Sequence, residues 1–217
     1  PMNLFKTIAI LSISLFLLPA SPSLAHSLKH LEDKLSEKEK YFHSFDKKAP
    51  KFTLQDWEDK PVSLDDFRGK VVILHFVYTN CTDVCPLHTE RIADIQKMIS
   101  GTAMRDLVQF VTITTDPSKD TQEVMRGYGK THGLKDQNWI FLTSGSDRLN
   151  STRELVTEFG HKFTKINNGI QTHGVVTHII SRDGRWRANF HGLKFNSTNL
   201  IIFVNALTND IHSRKPK

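Results

Sequence analysis

Short continuous apolar runs alternate along this chain with segments of helical spacing. Three apolar runs predict strands. Residues 71–79 suit a strand buried on both faces, residues 107–116 a second central strand and residues 138–144 a short strand. Apolar residues at helical spacing follow the first run and predict a helix through about Ile99. Another helix is predicted after the third run, over residues 147–159.

The helix predicted after the second run has recognisable ends. Asp120 and Glu123 are spaced like a capping box, which is typical of a helix start. Gly133 follows the segment and is typical of a helix end, because glycine adopts the left-handed conformation without strain. The sequence therefore predicts a helix between these signals.

Further elements flank this central part. Residues 51–64 predict two short strands around a polar turn, and residues 174–192 predict two strands around a turn at Arg182-Asp183-Gly184. A closing helix is predicted from Ser197 to Asn209. A β-α-β-α-β order followed by an antiparallel hairpin and a helix predicts an α/β fold, a thioredoxin-like three-layer sandwich with an N-terminal β-hairpin extension.

Length and composition are consistent with one such domain and a tail. The chain has 217 residues, of which 38% are hydrophobic and 24% charged, as in ordinary globular proteins. The net charge of +6 is spread along the sequence without an aromatic-spaced basic stripe, so nucleic acid is not an expected partner.

The N-terminal region predicts export. Residues 1–25 contain a lysine, an apolar core and small residues before Ala25, the three zones of a signal peptide, and an uncleaved membrane anchor is the alternative. Residues 26–48 are charge-rich and predict a linker or short helix, followed by a domain over residues 49–212. We expect the periplasm or the outer face of the inner membrane as the location, with membrane association through the N-terminus.

Both cysteines of the chain lie at the predicted end of the first buried strand. Cys81 follows that strand and Cys85 falls in the first turn of the next helix, where positions four apart face the same way. A structural disulfide, a redox catalyst and half of a metal site all fit this spacing. Asp83 and Asp116 place negative charge nearby, which disfavours a thiolate nucleophile and favours a bound cation.

Two thiolates select soft metals, and copper needs fewer ligands than zinc or an iron–sulfur cluster. An imidazole would complete such a site, and His88 is the local candidate because it lies one turn after Cys85. His75 is expected to pack, and His132 and His161 lie beside glycines in predicted loops. His173 and His178 are five residues apart, so on one strand they face opposite ways, and only one would address the site. Several histidines remain candidates on this reasoning.

The sequence "YTNCTDVCP" resembles the signature of the Sco (SenC) family of thioredoxin-like copper proteins, which are tied to cytochrome c oxidase assembly. The similarity continues through "VTITTDPSKDT", "WIFLTS" and "HGVVTHIISRDGRWRANFHG", and covers about residues 48–210. The resemblance implies copper, as Cu(I), Cu(II) or both, bound by Cys81, Cys85 and His173. Thr82 stands where family members carry proline, and the "QTHG" flank of His173 is less typical.

These features predict an exported copper chaperone that delivers copper to the copper-accepting subunit of a terminal oxidase, cytochrome c oxidase. Transfer is expected by ligand exchange at an exposed site, and other copper chaperones are further expected partners. The alternative is a thiol-disulfide oxidoreductase that uses Cys81 and Cys85 to reduce an exported or oxidase-subunit partner. A peroxiredoxin-like peroxidase fits the cysteine spacing less well. Cleavage after Ala25 would also expose His26 as part of a second copper site.

Overall fold

The computed structural model describes residues 25–145, 148–166 and 169–210, and from 163 to 173 it describes the backbone alone. The predicted signal peptide or anchor therefore lies outside the described residues, apart from its last position. Within the described part, none of the helices is both long and apolar enough to span a membrane.

A six-stranded sheet forms the centre of the fold, in the order β1-β10-β9-β4-β5-β6. Strands β4, β5 and β6 are parallel, whereas β9 pairs antiparallel with β4, β10 with β9 and β1 with β10. Two small hairpins, β2-β3 and β7-β8, lie outside this sheet. The strands are β1 Phe42–Lys48, β2 Thr53–Gln55, β3 Pro61–Ser63, β4 Val71–Val77, β5 Val108–Thr114, β6 Trp139–Leu142, β7 Lys162–Ile166, β8 Gly169–His173, β9 Val176–Ile180 and β10 Arg185–His191.

Helices and the β2-β3 hairpin cover the two faces of the sheet. Residues of α1, α2, α3 and α5 share one buried core with the sheet, whereas α4 and the β2-β3 hairpin share the other. Strands β4 and β5 are buried along their whole length because they lie between both cores. The helices are α1 Ala25–Lys38, α2 Val84–Ser100, α3 Gln122–Thr131, α4 Leu149–Glu158 and α5 Ser197–Asn209. The predicted thioredoxin-like α/β fold is thus confirmed.

The stretch from residue 42 to 48 is a strand and not a linker, which corrects the sequence prediction. It pairs with β10 along the edge of the sheet, and Phe42 packs in the core against Phe190 and Phe203. An ion pair of 2.7 Å between Glu32 and Arg187, both largely buried, links the preceding helix α1 to strand β10. This segment was misread because its mix of apolar and charged residues is typical of an edge strand exposed on one side.

The start of α3 differs from the predicted capping box. Thr121 is the N-cap, and its hydroxyl accepts the backbone N–H of Val124 at 3.5 Å. Asp120 instead turns inward and is 2% exposed. It finds three donors in the interior, and these compensate for its burial better than a helix end would.

Candidate thiol and metal site

The two cysteines lie close together between the end of β4 and the first turn of α2. A tight turn follows β4, in which the Cys81 N–H donates to the Tyr78 carbonyl at 3.1 Å. Helix α2 begins three residues later, and the Cys85 N–H in its first turn donates to the Cys81 sulfur at 3.4 Å. Both cysteines are free thiols and buried, with exposures of 5% for Cys81 and 9% for Cys85.

The two thiols have opposite proton affinities. Burial raises the pKa of Cys81, but hydrogen bonds from the Cys85 thiol, from the backbone N–H groups of Asp83 and Cys85 and from Tyr78 outweigh it, and the net pKa is lowered. Burial raises the pKa of Cys85, and its hydrogen bond to Cys81 and the charge of Asp120 raise it further. Cys81 is therefore the thiolate-forming member of the pair.

Asp120 links the cysteine loop to the neighbouring strand. Its carboxylate accepts the Thr79 hydroxyl, the Thr79 N–H at 3.3 Å and the Thr114 hydroxyl. Burial raises the pKa of Asp120, although these hydrogen bonds act in the opposite direction. Sequence reasoning missed this residue, because its helix-capping pattern hid a contact with a loop 41 positions away.

The two acidic residues predicted beside the site lie further out. Asp83 is exposed and its side chain makes no capping hydrogen bond, whereas its backbone N–H donates to the sulfur of Cys81. Asp116 accepts the Ser118 hydroxyl at 2.6 Å and lies 3.8 Å from the Lys119 amine. Of the three acids near the loop, Asp120 is the one whose charge reaches Cys85.

Two histidines are fixed between β4 and α2. His88 is buried and its Nε2 lies 2.9 Å from the Thr177 hydroxyl, while the His75 ring stands edge-on to it with centroids 4.9 Å apart. Burial lowers the pKa of His88 to about 3, and it lowers that of His75 well below its usual value. His75 packs as predicted, and His88 is bonded to the sheet.

Two more histidines form a chain on the opposite face. The Trp186 Nε1–H donates to Asn189 Oδ1 at 2.8 Å, so this oxygen is an acceptor, and His178 Nδ1 must donate to it at 2.7 Å. In neutral His178 the Nε2 atom is then an acceptor, and it takes the Nε2–H of His161 at 2.9 Å. His161 was predicted in an exposed loop, but it is buried at 6% exposure because this chain holds it inside.

His173 ends strand β8, where its backbone pairs with Lys162. On sequence alone, His173 and His178 were considered on one strand. They belong to two strands, β8 and β9, which are separated by residues 174–175. His132 is the C-cap of α3; its Nδ1 lies 3.3 Å from Glu90 and its ring packs against Tyr128 with centroids 4.5 Å apart. Among the side chains that the structure describes, no three Cys, His, Asp or Glu residues converge as a metal site.

A thiol pair at the carboxyl end of a central strand, on a sheet of this order, defines a thioredoxin-like domain of the thiol- or metal-binding class. The family model of SCO1/SenC matches residues 42–207. The chain therefore belongs to the SCO1/SenC family, as its sequence resemblance predicts.

Individual relatives agree with this assignment. The SCO1 protein homolog of Bacillus subtilis is 32% identical over 149 residues, which are 66% of this chain and 73% of that protein. A SCO1/SenC family lipoprotein from Bacillus anthracis has a similar structure, with a TM-score of 0.68 and 25% identity over 76% of this chain and 98% of the other. Copper-bound ScoI of Arabidopsis thaliana shares the fold, with a TM-score of 0.63 and 20% identity over 75% and 99% of the two chains.

Proposed function

We propose that this protein is an exported copper chaperone that holds copper through Cys81, Cys85 and His173 and passes it to the copper-accepting subunit of cytochrome c oxidase. The observation that carries the proposal is the thiol pair, in which Cys85 donates its N–H to the Cys81 sulfur at the start of α2. Membership of the SCO1/SenC family supports it, as do the relatives whose structures contain copper.

The donor set suits copper as cargo. Two thiols with one imidazole match the preference of copper for soft sulfur and nitrogen ligands. Metal binding needs thiolates, and the lowered pKa of Cys81 favours it as the first sulfur to bind. Cys85 would lose its proton only when the ion is already held, because its own pKa is raised by burial.

The register of the sheet supports His173 as the third ligand. Thr177 in β9 pairs with His75 in β4, so β9 begins beside the carboxyl end of β4, where Cys81 lies. His173 is three positions before Val176, the first residue of β9, and its backbone therefore reaches the same edge of the sheet. His88 is less suited, since its Nε2 is engaged with Thr177.

Burial of the thiols changes the expected route of transfer. The sequence suggests ligand exchange at an exposed site, but each cysteine exposes less than a tenth of its surface, 5% and 9%. We therefore expect that copper enters and leaves when the loop from Thr79 to Asp83 opens. Export and membrane association of this chain are part of the proposal, supported by its N-terminal pattern and by a relative named as a lipoprotein.

Anaerobic copper titration of the reduced protein tests the ligand set. We expect Cys81→Ala, Cys85→Ala and His173→Ala each to weaken Cu(I) and Cu(II) binding by at least about tenfold, since each removes a direct ligand. His30→Ala is the matched control, because His30 is an exposed histidine on α1, on another element than the thiols. Unchanged affinity in His173→Ala and Cys81→Ala would refute the proposal.

A thiol-disulfide oxidoreductase is the second candidate, and the opposite proton affinities of the thiols favour it. A thiol with lowered pKa beside one with raised pKa is the arrangement of an attacking and a resolving cysteine. Thiol exchange with an oxidised peptide should then survive His173→Ala, whereas copper binding should not. Exchange lost together with copper affinity would argue against this second role.

A further inference from the structure

A pair of histidines lies on the two outermost strands at the β1 edge of the sheet. His43 on β1 is exposed and His191 on β10 is half-buried. Their rings stand at 88° to each other with centroids 5.0 Å apart. His43 pairs with Asn189 across the two strands, so His191 is its diagonal neighbour on the same face.

We propose that His43 and His191 form a second metal site, which binds a divalent transition ion and prefers Cu(II). Two imidazoles bound to one ion through nitrogens at about 2.0–2.1 Å, at angles between a right angle and a tetrahedral one, have ring centroids about 5 Å apart. The pair already has this separation.

The charge state of the pair suits a metal ion. Burial lowers the pKa of His191, and a positive charge on His43 would lower it further, so the His191 imidazole is neutral near pH 7. Neutral imidazole is the form that binds metals. The described residues contribute no third Cys, Asp, Glu or His to the pair, so water completes the coordination. Nitrogen ligands in an open site favour Cu(II) over Ni(II) and Zn(II).

The position of the pair connects it with the cysteine edge. His191 pairs with Val176 at the start of β9, and β9 begins beside the carboxyl end of β4. With strands about 4.8 Å apart, His191 lies about 10 Å and His43 about 14 Å across the sheet from β4. The histidine pair and the thiol pair therefore lie at the same end of the strands, although His191 is on the sheet face of Asn189 and the thiols belong to the core on the α2 side.

The test uses the full chain with Cys81→Ser and Cys85→Ser, so that the thiols do not bind the probe. Cu(II) is titrated into this parent and followed by calorimetry and electron paramagnetic resonance. We expect two coupled nitrogens in the parent, and a loss of at least about tenfold in affinity on adding His43→Ala or His191→Gln. His30→Ala is the matched control, because His30 is an exposed histidine on α1 without a partner ring, and it should leave the affinity unchanged.

Equal affinity in the parent and in His43→Ala would overturn the proposal, and so would an equal loss in His30→Ala. His43 is exposed, so His43→Ala decides the question even if His191→Gln does not fold. The result is independent of the proposed chaperone site, since the thiols are absent from every protein compared. Failure of that function would appear only in the titration of the cysteine-containing chain.

Discussion

The cysteine loop and the buried histidines lie close together, but they are held in opposite ways. Cys81 and Cys85 have mainly each other and backbone N–H groups as partners. His178 is fixed by Asn189 on one side and His161 on the other, and His88 is fixed by Thr177. The difference teaches that residue type alone does not mark a ligand in this protein. These histidines bond to groups of other elements and so stabilise the fold, whereas the thiols bond mainly to each other and to their own loop.

The largest expected effect is a loss of stability in acid, which comes from the buried histidines and not from the cysteine loop. The pKa values of His75, His88 and His178 are lowered in the folded protein, so between pH 6.5 and those values the unfolded chain binds more protons. Stability is then complete above about pH 6.5 and is lost as pH falls. Three histidines predict a loss of about 4 kcal/mol in the free energy of unfolding between pH 7 and 5.5.

Urea denaturation of the metal-free protein at both pH values measures this loss. The variant His88→Gln should remove about a third of it, while the exposed His30→Gln should remove none. Asp120 acts in the opposite direction, because its raised pKa lets the folded protein bind a proton before the unfolded chain does as pH falls. A pH-independent stability over this range would show that the buried histidines do not have lowered pKa values.

Removing the carboxylate of Asp120 should have the next largest effect. Asp120→Ala leaves the hydroxyls of Thr79 and Thr114 and the Thr79 N–H without their acceptor, at a cost of about 3 kcal/mol in unfolding free energy. Asp116→Ala is the surface control and should cost about 0.5 kcal/mol or less. Equal effects of the two variants in thermal or urea unfolding would mean that Asp120 does not hold the cysteine loop.

The next effect in size is a difference in labelling rate between the two thiols. At pH 7.5, iodoacetamide should label Cys81 in Cys85→Ser at least about tenfold faster than Cys85 in Cys81→Ser, because the thiolate is the nucleophile. Mass spectrometry of timed samples gives both rates. Faster labelling of Cys85 would reverse the order in which the thiols are expected to bind copper.

The smallest effect is expected from Asp83. Its side chain is exposed, so Asp83→Asn should lower the pKa of Cys81 slightly and speed its labelling by less than about threefold. The same labelling assay in the Cys85→Ser background measures this change. An acceleration of tenfold or more would restore Asp83 as a strong electrostatic partner of the thiols.

The central strands and most helices were predictable because their signals are local. Strands β4 and β5 are continuous apolar runs, and α5 extends over Ser197–Asn209 as its pattern predicts. Strand β1 was missed because its partner is β10, more than 130 positions along the chain, and five of its own seven residues are polar or charged. The β7-β8 hairpin was missed as well, because no strand pattern was found in the sequence of its residues.

The site divides in the same way. The position of Cys81 and Cys85 follows from the end of an apolar run and the start of a helix, both visible in sequence. The burial of His161 depends on Asn189 and Trp186, which lie on another strand, so no local pattern indicates it. Asp120 was predicted to cap α3 because aspartate is common both at helix starts and as a buried hydrogen-bond acceptor.

Helix α1 has a consequence for the orientation of the molecule. It ends at Lys38, just before β1 begins at the cysteine edge, and midway along it Glu32 contacts Arg187 towards the other end of β10. The helix therefore runs back along the sheet for about 20 Å, and Ala25 lies at the far end. If the segment before Ala25 is a membrane anchor, it joins the domain at the end opposite the cysteine loop.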